Sequence, residues 1–366
     1  MSRSLVQGHP LRLSAYALWY VLAGLACNHA QPLPTDLRQG QQAERDQDPD
    51  RALAVYEATV QGCRSRTRGE SKDPCGTAAL RRGQILEQLG RFAEAAGAYS
   101  ETRNLSRDGR NIARGLVRAA TLLAGPLAQP DEAQALCREI VNTWPSEVAA
   151  EDALKLFVEL GLDRKDPQLL PTLLQLADRL RAHEVLASFA LFYAARFLER
   201  RHDPAALSTY DEIWKRYPRG PLLDDALFAA ARLLREQQRF QEAAERLERL
   251  EATFTKALLI GHYNKLLLDE GAILLGEVYL SDLRQPERAL ATLERFLKRQ
   301  RTSLLCDDAL LLMAEAALLR QGTTREQNHR EACGYLARLL TQYPDGNRTR
   351  KAAERREALG CNGLAR

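Results

Sequence analysis

The chain has 366 residues, enough for two ordinary domains or one repeat array, with 45% hydrophobic, 27% charged and only 6% aromatic side chains. Ala, Leu, Arg and Glu dominate while β-branched residues are scarce, which argues against a sheet-based protein and for an all-α one. The net charge of +4 is spread through interleaved acids and bases, as in Glu245-Arg246-Leu247-Glu248-Arg249-Leu250, so no basic stripe stands apart and nucleic acid is not an expected partner.

At the N-terminus Arg3 and Arg12 precede an apolar run from Leu13 to Ala26. That run is shorter than the roughly 20 residues a spanning helix needs, and it has the form of a secretory signal, expected over residues 1–26. It ends Ala23-Gly24-Leu25-Ala26-Cys27, which resembles the lipobox of bacterial lipoproteins, with Gly24 where that family has Leu. The resemblance implies a diacylglycerol on Cys27 as the mature N-terminus. Asn28 in place of the Asp tied to inner-membrane retention in enteric bacteria points to an outer-membrane lipoprotein facing the periplasm. The alternative is ordinary signal cleavage beside an incidental cysteine, for which no Ala-x-Ala site lies nearby. Residues 27–47, with Pro32, Pro34 and the polar run that starts at Arg38, read as a tether. No later segment reaches transmembrane length, so contact with the membrane is expected through the N-terminal lipid only.

From residue 48 to 346 the chain repeats itself. Trp144-Pro145 is followed by Glu151-Asp152-Ala153-Leu154, Tyr217-Pro218 by Asp224-Asp225-Ala226-Leu227, and Tyr343-Pro344 by Lys351-Ala352. Each proline marks a helix end, and each acidic pair opens the next helix, where the dipole favours negative charge. Amphipathic segments of helical length lie between these marks.

In Gly83-Gln84-Ile85-Leu86-Glu87-Gln88-Leu89-Gly90-Arg91-Phe92-Ala93-Glu94-Ala95, followed by Tyr99, the spacing resembles the tetratricopeptide repeat, a helical hairpin of about 34 residues. Further copies place the small residue at Ala52, Ala133, Ala206, Ala243, Ala289 and Ala332, and its larger partner at Tyr56, Cys137, Tyr210, Leu247, Leu293 and Leu336. The resemblance implies an all-α tetratricopeptide-like helical-hairpin solenoid, a right-handed superhelix of about seven to eight helix pairs. One of these, near Leu154 to Leu180, is degenerate, and residues 347–366 form a capping helix and tail. Because one hairpin cannot bury its apolar face alone, neighbours must stack. The repeat grammar is also similar to that of Gram-negative envelope proteins of outer-membrane β-barrel assembly and Tol-Pal coordination.

Beyond Cys27, Cys63 and Cys75 flank a polar insertion, where a bridge would close the loop in an oxidising compartment; two unpaired thiols are the alternative. Cys333 and Cys361 offer a second pair that would staple the capping helix. Cys137 stands at a core position. No Cys-x-x-Cys, nucleophile motif or phosphate loop occurs and the six histidines are scattered, so no metal, cofactor, small-molecule substrate or catalysis is expected.

In tetratricopeptide arrays the first helix of each pair lines the binding surface. Carried over, that register implies Gln84 and Glu87, then Leu191 and Leu198, then Phe228, Arg232 and Arg235, then Leu311 and Glu315. Phe228, Arg232 and Arg235 share one helix face, suited to an acidic segment because Arg pairs bidentately with carboxylates. Burial of Phe228 against the neighbouring repeat is the competing reading. The expected function is a non-catalytic scaffold that binds envelope proteins or peptide segments; the alternative is a peptidoglycan or glycan binder.

Overall fold

Helices fill the computed structural model, which describes residues 35–64, 73–260 and 265–361 and contains no strand among them. The expected signal segment and Cys27 lie outside the described residues. No helix among those residues is long and apolar enough to cross a membrane. The chain divides into two compact units, 1–122 and 123–366, with the division inside one helix.

The first unit runs through α1 (Thr35–Arg45), α2 (Pro49–Arg64), α3 (Pro74–Gln88), α4 (Phe92–Ser100), the one-turn α5 (Thr102–Leu105) and most of α6 (Gly109–Ala124). Here the tether expected to reach residue 47 is corrected: Thr35–Arg45 is the first helix of the first pair and packs on α2. Its apolar stripe is only Leu37, Gly40 and Ala43, all buried and one turn apart. Composition alone cannot tell such a stripe from a polar linker. The Tyr56 ring of α2 lies so close to Gly40 that a Cβ there would stand 2.6 Å from it, and the Tyr56 hydroxyl donates to Glu44 Oε1 at 2.5 Å. The second pair repeats both contacts, with the Tyr99 ring over Gly83 and its hydroxyl donating to Glu87 at 2.7 Å.

The second unit continues with α7 (Pro130–Thr143), α8 (Ala149–Asp163), α9 (Leu169–Arg179), α10 (Glu184–Arg200), α11 (Ala205–Arg216), α12 (Leu223–Glu236) and α13 (Phe240–Ile260). It closes with α14 (Lys265–Glu277), a π-helical turn (Val278–Asp282), α15 (Pro286–Arg299), α16 (Cys306–Leu319), α17 (Arg325–Gln342) and the capping helix α18 (Thr349–Ala358). The degenerate stretch folds as α8 and α9. Gly161 admits Leu169 there, and Pro171 falls in the first turn of α9, where a missing N–H costs nothing. Every small residue of the repeat register, and every larger partner, is buried. Cys137 is one of those partners, and burial pushes its thiol up to about 12.

Local chemistry explains where the helices stop. Trp144, Tyr217 and Tyr343 each donate their N–H to the carbonyl four residues back, and the proline that follows each cannot continue the helix. Hairpin turns carry a residue at positive φ: Gln47, Gly90, His202 and Gln238. The next residue then donates five residues back, Asp48 to Ala43, Arg91 to Leu86, Asp203 to Leu198 and Arg239 to Leu234. The hairpin from α14 to α15 differs. There Gln285 donates to Tyr279, six residues back, and Gly276 meets Leu293, seventeen residues on, where Gly40 and Gly83 meet rings sixteen residues on. One extra residue is present, and the π turn absorbs it.

Candidate interaction site

Along α12, Ala226, Leu227, Ala230, Ala231 and Leu234 are buried, which turns Phe228, Arg232 and Glu236 to the opposite side. A cleft lies on each flank of that side. One, of about 570 Å³, runs between α12 and α14 and is lined by Phe228, Arg232, Arg235, Glu270, Ile273 and Arg348. The other, of about 780 Å³, runs between α10 and α12 and is lined by Phe192, Arg196, Leu207, Phe228, Arg232 and Leu267. Phe228, Arg232 and Glu236 belong to both. Phe228 is half-buried: part of the ring packs on the core and the rest faces the clefts, so both readings of this residue hold in part.

The arginines of this face differ in what they do. Arg235 donates to Glu277 at 2.8 Å and to Asp282 at 2.7 Å, so this expected contact residue is engaged within the unit. Arg232 is exposed and makes no ion pair among the described residues. Arg196 lies 6.0 Å from the centre of the Phe192 ring, an aromatic and a cation side by side on α10.

Three expected contact residues are corrected. Leu191, Leu198 and Leu311 are buried, at 1%, 5% and 4% exposure. Helix α10 buries a broad band from Leu186 to Leu198 and leaves Phe192 and Arg196 at the cleft, one register step from the leucines. Helix α16 is enclosed along most of its length by α14, α15 and α17. Glu315 on that helix pairs with Lys351 at 3.7 Å. In the first unit Gln84 accepts from Arg81 at 3.2 Å, and Glu87 takes the Tyr99 hydroxyl and an ion pair with Arg118 at 3.6 Å. Both are half-buried, and the partners named here lie within the first unit.

The acidic pairs at helix starts are structural ties. Asp224 accepts from the Thr253 hydroxyl at 2.8 Å. Burial pushes its carboxyl above the usual range, and burial together with the Asp224 charge does the same for Asp225. Asp307 accepts the Arg348 backbone N–H at 3.0 Å, and Asp308 accepts Arg348 Nε at 2.5 Å, which fastens the start of α18 to α16. Cys63 is bonded to Cys75 and Cys333 to Cys361. One grouping escaped the sequence reading: His329, Cys333 and Cys361 have ligand atoms within 4.8 Å of one another. The i,i+4 spacing of His329 and Cys333 on one helix was the available signal.

Sequence profiles of the tetratricopeptide repeat match residues 37–109, 225–256 and 308–346. No curated protein sequence matches the chain. Solved structures similar to it include a signal transduction ATPase with numerous domains that carries a tetratricopeptide repeat sensor, from Pyrococcus horikoshii. Identity to it is 13%, over 89% of this chain and 50% of that one, with a TM-score of 0.47. This chain therefore spans about half the length of that protein. A tetratricopeptide repeat protein from Parabacteroides merdae is 12% identical over 88% of this chain and 97% of its own, with a TM-score of 0.32. The C-terminal part of a repeat-containing protein from Cytophaga hutchinsonii is 9% identical over 86% and 98%, with a TM-score of 0.41. Repeat profiles in both units, and small and large residues buried in the register those repeats require, show tetratricopeptide repeats over residues 37–109, 225–256 and 308–346 of this all-α chain.

Proposed function

We propose that this protein is a non-catalytic scaffold of the bacterial cell envelope, anchored by a lipid on Cys27 and facing the periplasm, that grips a segment of a partner protein along α12. Tetratricopeptide repeats generally mediate binding between proteins, and this supports the class. The observation that carries the site is the shared wall of the two clefts. An aromatic ring, Phe228, stands one turn from Arg232, an exposed cation with no ion pair among the described residues. A segment that fits has an apolar side chain over Phe228 and a carboxylate for Arg232, a charge-assisted contact in a partly sheltered groove. The apolar run that ends at Cys27 supports export and lipidation, and two disulfides suit an oxidising compartment.

Capture of cross-linked partners from envelopes, with wild type, Cys27→Ala and Arg232→Glu in parallel, tests this. The expected result is a defined protein that is recovered with wild type and lost with Arg232→Glu, while Cys27→Ala leaves the membrane fraction. Equal recovery by wild type and Arg232→Glu removes the groove, and a Cys27→Ala protein still in the membrane fraction removes the anchor.

A further inference from the structure

We propose that the C-terminal staple has a second state: when the Cys333–Cys361 bond is reduced, His329, Cys333 and Cys361 together form a Zn²⁺ site. His329 and Cys333 lie one turn apart on one face of α17, and Cys361 arrives from the turn that follows α18. One ligand atom from each lies within 4.8 Å of the others, so a side-chain adjustment of about 1 Å brings the set to the separations of roughly 3.3–3.8 Å that a tetrahedral cation with bonds of about 2.0–2.3 Å requires. Both sulfurs are sheltered, at 5% and 3% exposure, while His329 is half-buried and open to an entering ion.

The orientation of the imidazole is the second observation. His329 Nε2 lies 2.6 Å from the carbonyl oxygen of Leu359. A carbonyl only accepts, so Nε2 is the donor in this contact, and in the neutral ring Nδ1 is the nitrogen left with a lone pair for a metal. A metal-bound histidine is held in the same way, its other ring N–H given to a backbone carbonyl that fixes tautomer and ring direction. Among the described residues no histidine joins Cys63 and Cys75 in such a group, so that disulfide serves as an internal control.

The two states exclude each other because they use the same sulfurs. A dithiol reductant supplies two electrons and two protons, the S–S bond breaks, and the reductant leaves as its own disulfide. Zn²⁺ then displaces the two thiol protons, which go to solvent, and is held by two thiolates, one imidazole and a water. In the oxidised protein only His329 remains, too little to retain the ion. Either state ties α18 to α17, so the cap of the array stays closed across a change of redox conditions. This inference is independent of the partner groove.

The test uses the full-length protein reduced by a phosphine and freed of excess reductant under anaerobic conditions, with Co²⁺ as the spectroscopic probe. One Co²⁺ per chain should bind with a sulfur-to-cobalt charge-transfer band and the d–d bands of a tetrahedral site, and Zn²⁺ should displace it. Oxidised protein and reduced Cys333→Ser should give no such spectrum. His329→Ala, which leaves the oxidised disulfide intact, should weaken Co²⁺ binding tenfold or more when reduced. A second readout does not require the reduced, metal-free form to fold. At a fixed ratio of reduced to oxidised dithiol, Zn²⁺ at ten times its Kd should raise the reduced-to-oxidised ratio of this pair about tenfold, and that of Cys63–Cys75 not at all. Charge-transfer absorption that persists in Cys333→Ser, an affinity unchanged in His329→Ala, or a Zn²⁺-independent redox balance overturns the site.

Discussion

Arg235 of α12 holds two carboxylates that lie five residues apart in sequence, Glu277 at 2.8 Å and Asp282 at 2.7 Å. Five residues in an α-helix is a rotation of about 140° beyond a full turn, which would aim the two at different faces. The π turn from Val278 to Asp282 widens the helix so that both reach one guanidinium. The same extra residue that lengthens the α14–α15 hairpin therefore builds a clamp on Arg235, while Arg232, three residues earlier, stays exposed.

Removal of Arg235 strands two carboxylates, whereas removal of Arg232 strands nothing. In denaturant unfolding, Arg235→Ala should lose about 1–2 kcal/mol and Arg232→Ala less than about 0.5 kcal/mol. Equal losses would mean that the clamp is not a stabilising feature.

Gly40 and Gly83 exist to let a tyrosine ring lie on a helix backbone, and a methyl group at either position would sit 2.6 Å from ring carbon. Gly83→Ala should destabilise the protein by about 1–3 kcal/mol through overpacking. A smaller residue at position 99 should rescue part of that loss, so a double-mutant cycle with Tyr99→Leu should show coupling of about 1 kcal/mol. Strict additivity would contradict the contact.

Tyr56, Tyr99, Tyr210 and Tyr279 are buried and each donates its hydroxyl to a glutamate: Glu44, Glu87, Glu199 and Glu248. Burial, and next the acceptor carboxylate, push all four phenols above their ordinary value of 10.0. The folded state thus holds these protons more tightly than the unfolded chain. Their contribution is complete below pH 10 and is lost as the pH rises through the elevated values. Absorbance titration should show these phenols ionising only together with loss of helical signal, and the denaturant midpoint should fall steadily above pH 10. Ionisation of every tyrosine near pH 10 in folded protein would refute this.

Much of this architecture was legible in the sequence because the repeat writes its core at fixed spacing. Ala206 with Tyr210, or Ala332 with Leu336, needs only a count of four to be found, and each pair is buried. The first helix was not legible, since Leu37, Gly40 and Ala43 form too thin a stripe to distinguish from a tether. The contact face failed at Leu191 and Leu198 for a related reason. A helix packed on several neighbours is apolar over most of its circumference, and a register error of one residue exchanges Leu191 for Phe192. Arg235 was misjudged because its partners, Glu277 and Asp282, come from a helix forty and more residues later.

Pairing of four cysteines leaves Cys137 and Cys306 buried, with burial pushing both thiols up. Native Cys27→Ala protein should therefore show no fast-reacting thiol, and two after denaturation without reductant. Six thiols in denaturant would mean that neither disulfide forms.

In the proposed function, the face of α12 bearing Phe228 and Arg232 holds a partner. A photo-crosslinking side chain at position 232, in living cells, tests it most directly, with position 245 on the exposed side of α13 as the comparison. A discrete protein adduct is expected from position 232 and none from 245. No adduct from 232, or the same adducts from both positions, would contradict it.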